Sequence, residues 1–213
     1  MTTRPIKAGR PRANTLPPAP VAPLRLAPLL DRLCTELIER VPALHGLDAR
    51  RILIVAGQAR GAARASIRSL APATRAPLVH VAGQRKLFEL TLRPLWFRQS
   101  TPGRRLESIV HELWHIDASA PDRLARDRQH RTLSRQQVAT AIGQLCANAR
   151  ALVGPKFLAS LAVDGPVLLP AWLTRPVLTG EPQQRRQFGD RDLFLQQITM
   201  VTRATARVKD PIN

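Results

Sequence analysis

The chain of 213 residues is long enough for one well-buried domain with extensions, and we expect one domain rather than two small ones. Hydrophobic residues make up 44% of the sequence, but aromatic residues only 4% and tyrosine is absent, so aliphatic side chains must fill the core. The 33 Lys and Arg against 15 Asp and Glu give a formal net charge of +18, which excludes an acidic protein.

Cysteine usage and hydropathy narrow the class of protein further. Cys34 and Cys146 lie far apart and in no C-x-x-C pattern, so neither a disulfide framework nor a cysteine zinc site is indicated. No stretch of about 18 uncharged apolar residues occurs, and no apolar segment typical of a signal peptide follows the basic N-terminus. We therefore expect an unexported, cytoplasmic protein.

The basic residues are almost all arginine, since only four of the 33 are lysine (Lys7, Lys86, Lys156 and Lys209). Arginine binds phosphate groups in a bidentate manner, so nucleic acid is a candidate partner. The alternative is that arginine is simply the habitual basic residue here, scattered over a solvated surface. The sequence is compatible with both.

The first predicted segment, residues 1–28, is a disordered basic arm, because it holds seven of the 19 prolines and five basic residues but no acid. After it, leucines recur at helical spacing through LAPLLDRLCTELIERV, which predicts an amphipathic helix that ends near Pro42. We assign residues 29–150 to a single domain and residues 151–213 to a partly irregular extension that packs on it.

Strands are predicted next. RRILIVAG is a β-branched run closed by glycine, whereas GQARGAARASIRSLAP favours a loop or an irregular strand. PLVHVAG and KLFELTLRPLWF are two further predicted strands, and the second is either an open edge, to which an extended peptide could add, or an interior strand.

Helices follow. QSTPGRR supplies a helix start with Ser100 or Thr101 as the cap and Pro102 near the first helical position, so the octapeptide VHELWHID at 110–117 lies on a helix. SRQQVATAIGQLCANARALV predicts another helix. The remainder is expected to be mostly loop, and RDLFLQQITMVTRATARV is either a final strand or a short helix.

The octapeptide contains the order H-E-x-x-H. His111 and His115, four residues apart, stack one turn above the other, so that two imidazoles can bind one zinc ion. Glu112, about 100° around the helix, can reach a metal-bound water. An apolar stripe of neighbouring residues orients the helix against a core: Leu106, Ile109, Val110 and Leu113.

A third ligand is needed, because a catalytic zinc site takes three protein ligands and leaves one position for water. His130, 15 residues after His115, is the first candidate, and Asp127 and Asp122 are the substitutes. The alternative for His130 is a solvated loop histidine. Glu107, one turn before His111, either orients that ring or is solvated, and Trp114 is expected to pack against the core.

The stretch HELWHIDASAPDRLARDRQHRTLSRQQ resembles the signature region of metallopeptidases found in phages and prophages, and the resemblance spans about residues 28 to 145. It implies an α+β, zincin-like domain in which a small mixed sheet packs on the H-E-x-x-H helix. It also implies one zinc ion per chain, bound by His111, His115 and His130, with Glu112 as general base. The spacing to His130 is similar to that of SprT-like metalloproteases, which act on DNA-bound proteins.

The predicted function is therefore zinc-dependent hydrolysis of peptide bonds in a peptide or protein substrate, without a membrane partner. Zincins often stabilise the oxyanion with a tyrosine or histidine. Since this chain has no tyrosine, an arginine, a histidine such as His80, or zinc alone would serve. The competing interpretation is a basic nucleic-acid-binding protein, with either a protease activity on DNA-bound proteins or a purely structural metal.

Overall fold

The computed structural model describes residues 22–58, 63–70, 78–128, 133–153, 158–177 and 186–201. Helices combine there with small mixed sheets, so the fold class is α+β, as predicted. Structure begins before the predicted boundary at residue 29, because β1 and the start of the first helix lie within 22–28. Residues 1–21 of the predicted arm lie outside the described residues.

The helices begin where capping residues or prolines favour them. They are α1 (Ala27–Arg40), α2 (Pro94–Arg98), α3 (Pro102–Trp114) and α4 (Arg135–Leu152). Thr101 caps α3 by accepting a hydrogen bond from the backbone N–H of Arg104 at 3.3 Å, so Thr101 rather than Ser100 is the cap. Ser134 starts α4 with a capping box to Gln137.

The strands form three small sheets within the described residues, in the orders β1-β7-β9, β2-β6-β3 and β5-β4-β8. Their bounds are β1 Leu24–Arg25, β2 Ile52–Ala56, β3 Ala65–Ser69, β4 Leu78–Val81, β5 Gln84–Arg85, β6 Phe88–Leu92, β7 Gly165–Trp172, β8 Gln187–Phe188 and β9 Leu193–Met200.

The sheet nearest to the H-E-x-x-H helix has β6 at its centre. Leu90 of β6 lies opposite Ile54 of the parallel strand β2 and opposite Ile67 of the antiparallel strand β3. The interior alternative for KLFELTLRPLWF is therefore correct, and β6 is not an open edge. Residues 65–69, predicted as a loop or irregular strand, form the regular strand β3.

The C-terminal part differs from the expectation that it is mostly loop. β7 and β9 pair in antiparallel register over eight residues each, and β7 also pairs with β1. Pro166 and Pro170 made β7 look irregular, because proline cannot donate to a ladder, yet both fit the extended backbone opposite Thr199 and Leu195. The open choice for residues 193–200 is resolved as a strand.

One main core connects these elements. The main cluster buries Leu30, Leu33 and Leu37 of α1, the apolar stripe of α3, and Val167 and Leu169 of β7, and Leu29 is partly buried against it. A smaller cluster lies apart and contains Leu53, Val55, Leu70, Val79 and Phe188. Among the described residues, no helix combines the length and the apolar character needed to cross a bilayer.

Candidate metal centre

Helix α3 is held in place along its length. Leu106, Ile109, Val110 and Leu113 are all at most 2% exposed, as the predicted stripe requires. Arg105, which is fully buried, donates hydrogen bonds to the carbonyl oxygens of Phe97 at 3.0 Å and Leu161 at 2.6 Å. Because both the apolar face and the buried guanidinium are anchored, the last turn of α3 has a defined position in the fold.

The two histidines of the motif meet at that last turn. His111 lies within α3, and His115 is its C-cap with helical backbone angles, so the predicted i, i+4 spacing is kept. Their Nε2 atoms are 3.2 Å apart, and the ring centroids are separated by 4.9 Å. At this distance the two rings can share either one proton or one metal ion.

The separation of the nitrogens fits a zinc ion. At the usual Zn–N distance of about 2.0–2.1 Å, nitrogens 3.2 Å apart subtend an angle of about 100° at a shared ion, close to the tetrahedral value. Both imidazoles are partly exposed, so a metal ion and a substrate have access from solvent. The distance between the Nε2 atoms of His111 and His115 is therefore compatible with a shared metal ion.

The third predicted ligand, His130, lies outside the described residues. Within the described ranges, no three His, Cys, Asp or Glu side chains come together to hold a metal ion. Asp122 and Asp127, the substitutes, are both exposed and do not join His111 and His115 in such a group there.

The loop after α3 turns back to the end of that helix. Ala125 donates a backbone hydrogen bond to the carbonyl oxygen of His115 at 2.8 Å, and Ile116 bridges to Leu124. Arg128 donates to the carbonyl oxygen of Trp114 at 2.7 Å, and its guanidinium lies 5.5 Å from the Trp114 ring centre. The described loop therefore ends beside the histidines.

Glu112, which follows His111 on α3, is buried, with 9% of its surface exposed. Burial raises the pKa of its carboxyl to about 7, and a backbone hydrogen bond from Ile67 opposes the rise. Ile67 lies in β3, which within the described residues pairs with β6 only. Glu112 thus points at the edge strand of the sheet, a contact that the sequence did not predict.

The other residues singled out from the sequence have varied surroundings. Trp114 packs against the main core, as expected, and its ring is 5.5 Å from that of His115. Glu107 forms an ion pair with Arg104 at 2.6 Å. His80 is exposed on β4, where it lies opposite Arg85 in another sheet.

No protein-family model matches the chain, and neither a curated protein nor a solved structure is significantly similar to it. The resemblance to phage and prophage metallopeptidases therefore stays a prediction. A proposal about function therefore rests on the residues of the site, because neither the fold nor a known relative indicates a function.

Proposed function

We propose that the chain is a zinc-dependent metallopeptidase of the phage and prophage type, with a zincin-like α+β domain. His111, His115 and His130 would hold the zinc ion, and Glu112 would act as general base. One observation carries the proposal. Two imidazole nitrogens lie 3.2 Å apart on the last turn of a buried helix, with a buried carboxyl group between them in sequence.

Glu112 has the properties that a general base needs. A bound zinc ion would polarise the scissile carbonyl and acidify a water molecule. Glu112 would accept a proton from such a water molecule and pass it to the leaving amine. Without a metal ion, burial raises the pKa of this carboxyl group to about 7, and the positive charge of a bound zinc ion would favour the carboxylate form that accepts a proton.

Within the described residues β3 is an edge strand, and its side that faces away from β6 supplies a place for the substrate backbone. Ile67 directs its N–H toward Glu112 and away from its partner strand β6. An extended peptide can add to such an edge through main-chain hydrogen bonds, and its scissile bond then lies near the carboxyl group and the imidazoles. Binding of this kind tolerates many sequences, because the contacts are to the backbone.

Replacement of Glu112 tests the mechanism. In Glu112→Gln the side chain keeps its size, so folding and zinc content should equal those of the parent, whereas the rate of peptide hydrolysis should fall by about 10²- to 10⁴-fold. The rate is measured on an unstructured protein substrate, and Glu39→Gln, an exposed change on α1, is the matched control. Undiminished hydrolysis by Glu112→Gln would exclude Glu112 as the base.

Polyanion binding is a second candidate, favoured by the net charge of +18. If it is a function of this chain, the logarithm of the association constant for duplex DNA must fall linearly with the logarithm of salt concentration, because bound counterions are released. Fluorescence anisotropy between 50 and 200 mM salt measures the slope, with about 10³-fold loss for six contacts. Weak binding that does not depend on salt concentration would exclude polyanion binding as a function.

A further inference from the structure

A groove lies between α3 and α4, beside the candidate metal centre. Its cavity has a volume of about 490 Å³, within the range of ligand sites, and His111 is part of its wall. The first turn of α3 meets the end of α4, since a Cβ atom added at Gly103 would lie 3.4 Å from the Arg150 guanidinium. The helices therefore run in opposite directions, and His111 lies toward the Arg135 end of the groove.

The walls of this α3–α4 groove are apolar in the middle and basic at both ends. Val138 and Ile142 are buried in α4 and line the middle. Arg135 and Arg150 line the ends, and neither forms an ion pair within the part of the chain that the structure describes. An apolar floor with cations at its ends suits a chain-like ligand that carries negative charges.

Glu107 does not cancel this positive charge. It is the one carboxyl group among the described residues that line the groove, and Arg104 already binds it at 2.6 Å. Arg135 and Arg150 are 15 positions apart on α4, which at 1.5 Å per residue separates their Cα atoms by about 22 Å. One carboxylate cannot reach both arginines, so a ligand that contacts both must carry acidic groups at separate points.

We propose that the α3–α4 groove binds an acidic segment of the substrate, with Asp or Glu side chains at Arg135 and Arg150. The proposal rests on the proposed function and specifies its substrate class: peptides whose residues next to the scissile bond are acidic. Because His111 and Arg135 line the same groove, the acidic residue bound by Arg135 would be the nearer one to the metal centre. The net charge of +18 would attract the same substrates from a distance.

The test uses peptides with amidated C-termini and a common neutral core, flanked on one side by Glu, Gln or Lys. Cleavage is measured with the zinc-loaded parent protein, and affinity with zinc-loaded Glu112→Gln by fluorescence anisotropy. Arg135→Glu and Arg150→Glu are introduced into both the parent protein and the Glu112→Gln variant. Arg85→Glu, an exposed arginine on β5 with the same change in charge, is the matched control.

We expect the Glu peptide to bind and to be cleaved about tenfold better than the Gln peptide. Most of this preference should be lost in Arg135→Glu and Arg150→Glu, whereas Arg85→Glu should keep it. Equal affinity for the Glu and Gln peptides would overturn the proposal. An equal loss in Arg85→Glu would do so as well, since the effect would then come from net charge alone. The same peptides are also made with a free C-terminal carboxylate. Binding that requires this carboxylate would overturn the proposal, because the groove would then recognise a chain end.

Failure of the peptidase proposal gives a different result. If no peptide is cleaved but the Glu peptide binds through Arg135, the groove is an acidic-peptide site and the peptidase proposal is wrong. If all peptides are cleaved at equal rates, the peptidase proposal holds and the groove proposal is wrong. The two readouts therefore separate the two claims.

Discussion

Two buried carboxyl groups, Glu112 and Glu89, have pKa values that are shifted in opposite directions. Burial raises the pKa of Glu112 to about 7, because a single backbone donor at Ile67 does not outweigh desolvation. Burial also opposes ionisation of Glu89, but hydrogen bonds and charges of Arg68 and Arg175 outweigh it and hold the pKa of that carboxyl below its usual range. Glu112 is thus suited to proton transfer and Glu89 to a structural ion network.

Glu89 should make stability depend on pH. It is fully buried in β6 and accepts hydrogen bonds from Arg175 at 2.6 Å, Arg68 at 3.0 Å and the Trp172 indole at 2.9 Å. Since its folded-state pKa is lowered, its contribution is complete above the unfolded-state pKa of about 4.3 and is lost as pH falls through the lower folded-state value.

We expect Glu89→Gln to lower the free energy of unfolding at pH 7 by about 3 kcal/mol, because two guanidinium groups lose their buried partner. The difference from the parent should shrink as pH falls below about 4. Urea unfolding followed by circular dichroism at pH 7 and 3.5 measures both values. Glu36→Gln, which removes the i, i+4 pair of Glu36 with the exposed Arg40, should cost less than about 1 kcal/mol. A difference that grows on acidification would refute this role.

The loop that follows α3 depends on a glycine from another element. Gly46 follows the 3-10 turn Pro42–Leu44 and has φ +92°, and a Cβ atom at this position would lie 2.7 Å from the carbonyl oxygen of Ala118. Ala118 belongs to the turn that returns the chain to His115. Close approach of backbone at Gly46 therefore helps to shape the loop at the metal centre.

Gly46→Ala should destabilise the protein through both backbone strain and this contact. Gly83→Ala is the matched control, because Gly83 also has positive φ, at +72°, but an added Cβ would meet nothing within 4 Å. We expect a loss of about 1 kcal/mol for Gly83→Ala and about 1 kcal/mol more for Gly46→Ala. Thermal unfolding monitored by calorimetry compares the two. Equal losses of stability in the two variants would show that the contact with Ala118 does not contribute to the effect.

At the scale of the whole molecule, local patterns predicted most elements. Leucine spacing identified α1, the Thr-Pro start identified α3, a β-branched run identified β2, and alternation of side chains identified β6. Strand β7 was missed because Pro166 and Pro170 outweighed its alternating apolar residues in the sequence pattern.

In the candidate site, too, local features were predictable from the sequence and tertiary contacts were not. The i, i+4 spacing of His111 and His115 is a property of one helix, so the sequence alone could place both rings on one face. The contact of Glu112 with Ile67 and the groove between α3 and α4 join segments far apart in sequence. Only tertiary packing brings such segments together. The spacing of apolar residues within one helix or strand carries no information about which segments pack against each other.

The most direct test of the central claim is the zinc content per purified chain, measured by elemental mass spectrometry. We expect about one zinc in the parent and in His45→Ala, a histidine away from the motif, and much less in His111→Ala, His115→Ala and His130→Ala. Circular dichroism checks that each variant is folded. A folded parent that holds no zinc and takes up none on reconstitution would contradict the account, because the imidazoles of His111 and His115 would then share a proton rather than a metal ion.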